Sequence, residues 1–172
     1  SASTVKPYDV PKSSTLLVFD GRFPTSHPEA YLAESQRLAT LSGVLNRRLR
    51  TRLREELAAT YGVMVHDRTY PLPEEHYQVL LAFDAAPDSM RAAQREMWRI
   101  LRAVRDSGAT EAELAREAVA QRRQLETLLQ HNGYWMEQIG LFTRLGLPLD
   151  RIVNPFIDDA VLSVGPMPEP VD

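Results

Sequence analysis

Five leucines, Leu38, Leu41, Leu45, Leu49 and Leu53, recur every three or four residues within a segment running from Glu29 to about Ala58. That spacing places all five on one side of a helix, and such a stripe must be covered by another element. The sequence that follows supplies a cover, because its period changes. Residues 61–70 are rich in β-branched and aromatic side chains, Pro71-Leu72-Pro73 breaks the run, and His76–Ala85 resumes it. In the second run Tyr77, Val79, Leu81 and Phe83 alternate with Gln78, Leu80, Ala82 and Asp84. Two strands joined by a short connection predict an antiparallel pair. Upstream, Ser14–Phe23 holds Leu16, Leu17, Val18 and Phe19 in a continuous apolar run, the pattern of a fully buried strand.

The remaining elements read as helices. Pro24 to Pro28 is a turn, with Pro28 suited to the first helical position behind Ser26, and Ser42-Gly43 is expected to kink the long helix. Pro87–Asp106 carries Met90, Met97, Ile100, Leu101 and Val104 and stops at Ser107-Gly108. Thr110-Glu111-Ala112-Glu113 has the form of a capping box opening Glu111–Gln130. Asn132-Gly133 interrupts, with Asn132 as a candidate cap, and Tyr134–Leu145 ends at Gly146-Leu147-Pro148. The fold class is therefore α+β, a mostly antiparallel β-sheet with helices packed on one face. Only three strands are clear, so Thr4–Val10 or the tail is expected to complete the sheet. Residues 1–13 read as an extended lead-in, 14–153 as one domain and 154–172 as a Pro-rich irregular tail.

Composition removes several function classes. Twenty Lys and Arg against 23 Asp and Glu leave a net charge of −3, without the basic excess of a nucleic-acid binder. The longest apolar run, Val79–Phe83, is five residues, far short of the roughly 20 that a membrane-spanning helix needs. Cysteine is absent, which excludes disulfides, thiolate metal sites and cysteine nucleophiles. The chain starts Ser1-Ala2-Ser3 without a signal-peptide core, as expected of either a processed chain or an excised piece of a longer one.

Known catalytic patterns are also missing. The four histidines, His27, His66, His76 and His131, are too far apart for one helical turn to bring two to a metal. The pair Glu75-His76 would need a histidine at position 72 to form His-x-x-Glu-His, and that position is Leu72. There is no Gly-x-Ser-x-Gly elbow, no glycine-rich phosphate loop, and no evident acid to orient Ser26-His27. No metal site is expected in this chain. Trp98 and Trp135 read as core or interface packing, Met90, Met97 and Met136 as gap-fillers, and His66 as a packed or edge strand residue.

One local feature stands apart: Arg47-Arg48-Leu49-Arg50-Thr51-Arg52-Leu53-Arg54-Glu55-Glu56. Arg47, Arg50 and Arg54 fall on a single helical face opposite the leucines, a solvated basic face partly balanced by Glu55 and Glu56. Arg54 differs, because it ends the helix just before Tyr61. A guanidinium and a phenol placed there can both hydrogen-bond an extended peptide or a tetrahedral oxyanion.

The segment Leu53-Arg54-Glu55-Glu56-Leu57-Ala58-Ala59-Thr60-Tyr61-Gly62-Val63 resembles a motif of the insulinase/pitrilysin family of zinc metallopeptidases. Three more pieces resemble that family in order: Phe83-Asp84-Ala85-Ala86-Pro87, Gly108-Ala109-Thr110-Glu111-Ala112-Glu113-Leu114, and Asn132-Gly133-Tyr134-Trp135-Met136. Together they cover roughly Ser14–Val153. The resemblance implies repeated α+β domains paired around a chamber, with zinc held by a first domain and later domains lacking it. It implies that this chain is a zinc-free domain, the C-terminal one, with no cofactor of its own and zinc in the intact enzyme. Arg54 and Tyr61 would then reach the substrate carbonyl and the transition state. The implied partners are a zinc-bearing catalytic domain, of the same or a partner chain, and a peptide substrate. Self-association of the isolated domain is a further expectation, and the large bacterial members with the tryptophan segment imply a periplasmic setting. Leu149–Asp172 departs from the family pattern, as expected of a shortened or divergent domain end. An inactive scaffold that keeps the fold is the competing reading.

Overall fold

A computed structural model describes residues 12–23, 27–71 and 75–153. The fold is α+β, and the described residues form a three-stranded antiparallel sheet with four α-helices. Strand β1 (Ser13–Arg22) pairs with β3 (His76–Ala85), which also pairs with β2 (Thr60–Tyr70), in the order β1-β3-β2. The alternation in β3 is realised, since Val79, Leu81, Phe83 and Ala85 are all buried. Leu81 sits between Leu17 and Val65 in register, and Phe83 between Thr15 and Val63, so one face of the sheet is the core face.

Helix α1 (Pro28–Leu49) crosses that face with Leu38, Leu41, Leu45 and Leu49 buried. It runs on without a break into a π-helical segment, Arg50–Glu56, in which Leu53 is fully buried. The predicted stripe thus spans two helix types. Helix α2 (Pro87–Ser107) lies beside it and adds Met90, Ala93, Met97, Ile100, Leu101 and Val104 to the same core. A smaller cluster at the far end joins Phe23, Tyr31, Leu38 and Val79, with the Phe23 ring 5.7 Å from that of Tyr31 and 5.1 Å from that of Tyr77.

Helix α3 (Glu111–Leu128) contains no buried residue and is held to α1 by polar contacts. Arg48 donates to both carboxylate oxygens of Glu113 at 2.6 and 2.7 Å, and Gln121 donates to Thr40 at 3.1 Å. Helix α4 (Asn132–Leu145) and the 3₁₀ turn Leu149–Val153 form a third cluster around Phe142, Leu147 and Ile152.

Several expectations need correction. The apolar run of β1 is not buried on both sides: Leu16 and Val18 are 64% and 53% exposed, because no element among the described residues covers the second face of the sheet. Gly43 does not kink α1; the lack of a side chain there admits Glu117, whose carboxylate a Cβ would strike. Position His131, not Asn132, is the N-cap of α4, and its side chain makes no capping bond. Met136 is exposed rather than a gap-filler, and Trp98 is 44% exposed, whereas Trp135 donates its indole N–H to the Leu129 carbonyl at 2.8 Å. Of the two readings of His66, packed or edge, the second holds: it is exposed on β2, an edge strand among the described residues. The lead-in residues 1–11, the turn at 24–26, the break at 72–74 and the tail 154–172 lie outside the described residues, as do both candidates for completing the sheet.

Candidate functional site

The two residues singled out by sequence, Arg54 and Tyr61, lie on either side of one irregular turn. Arg54 is near the end of the π-helical segment and exposed, while buried Leu53 ties the backbone beside it to the core. π-helical turns are rare and recur at functional positions. The segment closes with the Leu57 amide bonded to the Arg52 carbonyl at 3.2 Å and the Ala59 amide bonded to the Leu53 carbonyl at 2.8 Å. Between those two bonds Ala58 adopts φ +47°, the left-handed region that residues with a Cβ avoid. Among the described residues it is the one non-glycine residue with positive φ, and it lies midway between Arg54 and Tyr61.

A second irregularity places Tyr61. Opposite Ala85 stands Thr60, but opposite Asp84 stands Gly62, so Tyr61 is the extra residue of a β-bulge. Thr60 is buried and Val63 packs against the core, though they are three positions apart. Strict alternation forbids that. The bulge permits it, leaving both Tyr61 and Gly62 exposed, and bulges of this kind re-aim side chains at strand ends. Tyr61 is 54% exposed. A Cβ at Gly62 would meet nothing, so the surface beside the phenol is open.

Sequence reasoning missed a third group. The Lys12 ammonium sits 5.1 Å from the centroid of the Tyr61 ring, a cation–π contact across the sheet end. Nothing local signals it, since the two are 49 positions apart and meet only through the β1-β3-β2 pairing. Nearby, Ser14 donates to Asp84 at 2.6 Å, and Asp84 pairs in register with Gly62. The rim therefore carries Arg54, Tyr61 and Lys12 as donors, with Asp84 already engaged. Donors of this kind suit an anionic or carbonyl oxygen.

The rest of the basic run is less free than a solvated face. Arg48 clasps Glu113; Arg52 donates to Glu96 at 2.9 Å and to Glu56 at 2.7 Å. Hydrogen bonds from Arg48, together with those from Thr110, hold the Glu113 carboxyl at about 2, well below its ordinary value. Arg52 and Arg99 likewise lower Glu96. Arg54 has no ion-pair partner among the described residues.

The described residues do not fit a zinc site. His27 precedes α1, His131 precedes α4, His66 is in β2, and His76 stacks on Tyr70 with centroids 4.5 Å apart. No three His, Asp or Glu side chains among the described residues could share one metal ion. Also among them, no helix is long and apolar enough to cross a membrane.

Comparison with solved structures shows where this fold occurs. The periplasmic protease PqqL from Escherichia coli superposes with a TM-score of 0.62 at 17% identity, over 89% of this chain and 17% of that one. A protease from Helicobacter pylori gives 0.61 at 16% identity, over 88% and 36%. A predicted insulinase family protease from Yersinia pestis gives 0.55 at 16% identity, over 90% and 36%. The fold is insulinase/pitrilysin-like, and the chain spans from about a sixth to a third of the length of these proteases. No family model matches the sequence, and no curated protein does.

Proposed function

We propose that this chain is a zinc-free domain of an insulinase/pitrilysin-like metalloendopeptidase, contributing substrate and transition-state contacts while a separate zinc-bearing domain performs the hydrolysis. The observation that carries the reading is the paired delivery of Arg54 and Tyr61. A π-helical end, a left-handed alanine and a β-bulge combine within eight residues to expose both side chains beside one turn. Such departures from regular geometry are costly and persist where a particular side-chain placement is wanted.

In that role the domain's own residues bind and orient. The Arg54 guanidinium and the Tyr61 hydroxyl donate hydrogen bonds to the oxygen of the scissile carbonyl as negative charge develops on it, and Lys12 adds positive charge at the same rim. The exposed sheet face beside them, with Leu16, Val18 and Met64, offers apolar contact to an extended peptide. The zinc of the partner domain supplies the Lewis acid and the activated water.

The test is peptidase activity of this chain, alone and mixed with a zinc-bearing domain from the same gene. The expected result is activity only in the mixture, with Arg54→Ala and Tyr61→Phe each lowering kcat by about 100-fold, the usual cost of one oxyanion donor. Chelator-sensitive hydrolysis by this chain alone would refute the proposal. A stable complex without peptidase activity would favour the inactive scaffold, and activity that ignores both substitutions would remove Arg54 and Tyr61 from the site.

A further inference from the structure

We propose that the open face of the sheet docks onto the same face of a second copy of this chain, about a two-fold axis running along β3. Strand β1 presents Leu16, Val18 and Asp20 on that face, and β2 presents Met64, His66 and Arg68. All six are exposed. They stand in rows, because Leu16 and Met64 are both opposite Ala82, Val18 and His66 are both opposite Leu80, and Asp20 and Arg68 are both opposite Gln78.

The first two rows are apolar except for His66. The third carries one charge of each sign, on opposite sides of β3, and neither Asp20 nor Arg68 forms an ion pair among the described residues. A two-fold rotation about an axis along β3 exchanges the positions of β1 and β2 and leaves every row at its own height. Leu16 then faces Met64 of the second copy, Val18 faces His66, and Asp20 faces Arg68. The rotation makes that charged contact twice, once from each copy, so the face is complementary to itself in charge as well as apolar.

The charges also select this axis. A two-fold axis across the strands reverses the order of the rows, and one centred on the Leu80 row sets Asp20 against Leu16. Along β3, Gln78 meets its own counterpart, and an amide can both donate and accept there. Packed sheets cross at about 30°, so with the crossing at Leu80 the positions farther along β3 draw apart sideways. Asp84, two rows from Leu80 and accepting from Ser14 at 2.6 Å, is thereby kept from its counterpart. The contact does not depend on the Arg54–Tyr61 rim, since Tyr61 lies beyond the row of Gly62 and Asp84.

Sedimentation equilibrium of the full chain at about 50 mM salt, where charge contacts are weakly screened, tests this. The expected result is a monomer–dimer equilibrium with a dissociation constant below about 100 μM and no larger species. Asp20→Arg sets guanidinium against guanidinium, and Arg68→Asp sets carboxylate against carboxylate, so each alone should weaken dimerisation by at least about tenfold. An equimolar mixture of these two variants should dimerise as the parent does, because each charged contact in the mixed pair joins Arg to Asp. The double variant Asp20→Arg/Arg68→Asp should likewise match the parent, and circular dichroism checks that every variant stays folded. Arg144→Asp, on α4 and away from this face, should leave the parent's dissociation constant unchanged. A monomeric parent, association beyond two chains, single variants that dimerise as the parent does, or a mixture no tighter than its components would each overturn the proposal.

Discussion

At Ala58 the backbone sits at φ +47°, where a Cβ costs about 1–2 kcal/mol. Glycine removes that cost and loses about 0.5–1 kcal/mol through the freedom of the unfolded chain. Ala58→Gly should therefore stabilise the fold by about 0.5–1 kcal/mol in urea unfolding, the difference between those terms; a clear loss would show that the left-handed turn is not strained. Glu113 supports a second prediction. Its folded carboxyl titrates at about 2 against an ordinary 4.5, so the unfolded chain binds the proton more readily between those values. The stabilisation is complete above the ordinary value and lost as pH falls toward 2. Glu113→Gln should cost about 2 kcal/mol near neutrality, the scale of a charged hydrogen bond, and that gap should narrow as urea midpoints are compared toward about pH 3. A gap that stays constant with pH would mean that Glu113 acts through packing alone. The capping half of this residue's work was legible, because Thr110 and Glu113 are three apart. Its clasp by Arg48 was not, because 65 positions separate them.

Among the elements, α1 and its π-helical continuation show how one stripe does two tasks. The leucines hold the helix to the sheet, and the last of them, Leu53, fixes the segment from which Arg54 projects. Leu53→Ala should lose about 3 kcal/mol of stability, within the range of buried leucine truncations. If the proposed function holds, activity in the reconstituted enzyme should fall with it even where the domain remains folded, whereas unchanged activity at full occupancy of the folded state would separate Leu53 from the site. The five leucine positions were readable from periodicity alone. The change from α to π winding was not, because i→i+4 and i→i+5 bonding leave the apolar spacing of a seven-residue stretch almost the same. The polar seating of α3 was equally hidden: Gly43 reads as a helix breaker, and only the nearness of Glu117 turns it into a contact site.

For the whole molecule, the exposed face of the sheet is the feature with consequences. Leu16 and Val18 stand on it in β1 and Met64 in β2, the strands that flank β3, with Leu16 and Met64 both opposite Ala82. Contiguous apolar surface of this kind usually meets a partner. The isolated chain should self-associate in sedimentation experiments, and Leu16→Lys with Val18→Lys should leave it monomeric. Association that survives both substitutions would place the contact elsewhere.

That face also marks the boundary between what sequence and structure each determined. Helical and strand periods, the capping box and the missing zinc motif are local patterns of a few residues, so the α+β class and the candidates Arg54 and Tyr61 were available from sequence. Which side of β1 is covered depends on how many layers the fold has, and no run of residues encodes that by itself. The bulge that turns Tyr61 outward arises because Thr60 and Val63 must both face the core, and Lys12 joins the rim only because β1 and β2 flank β3. Periodicity operates along the chain; the site is made by contacts across it.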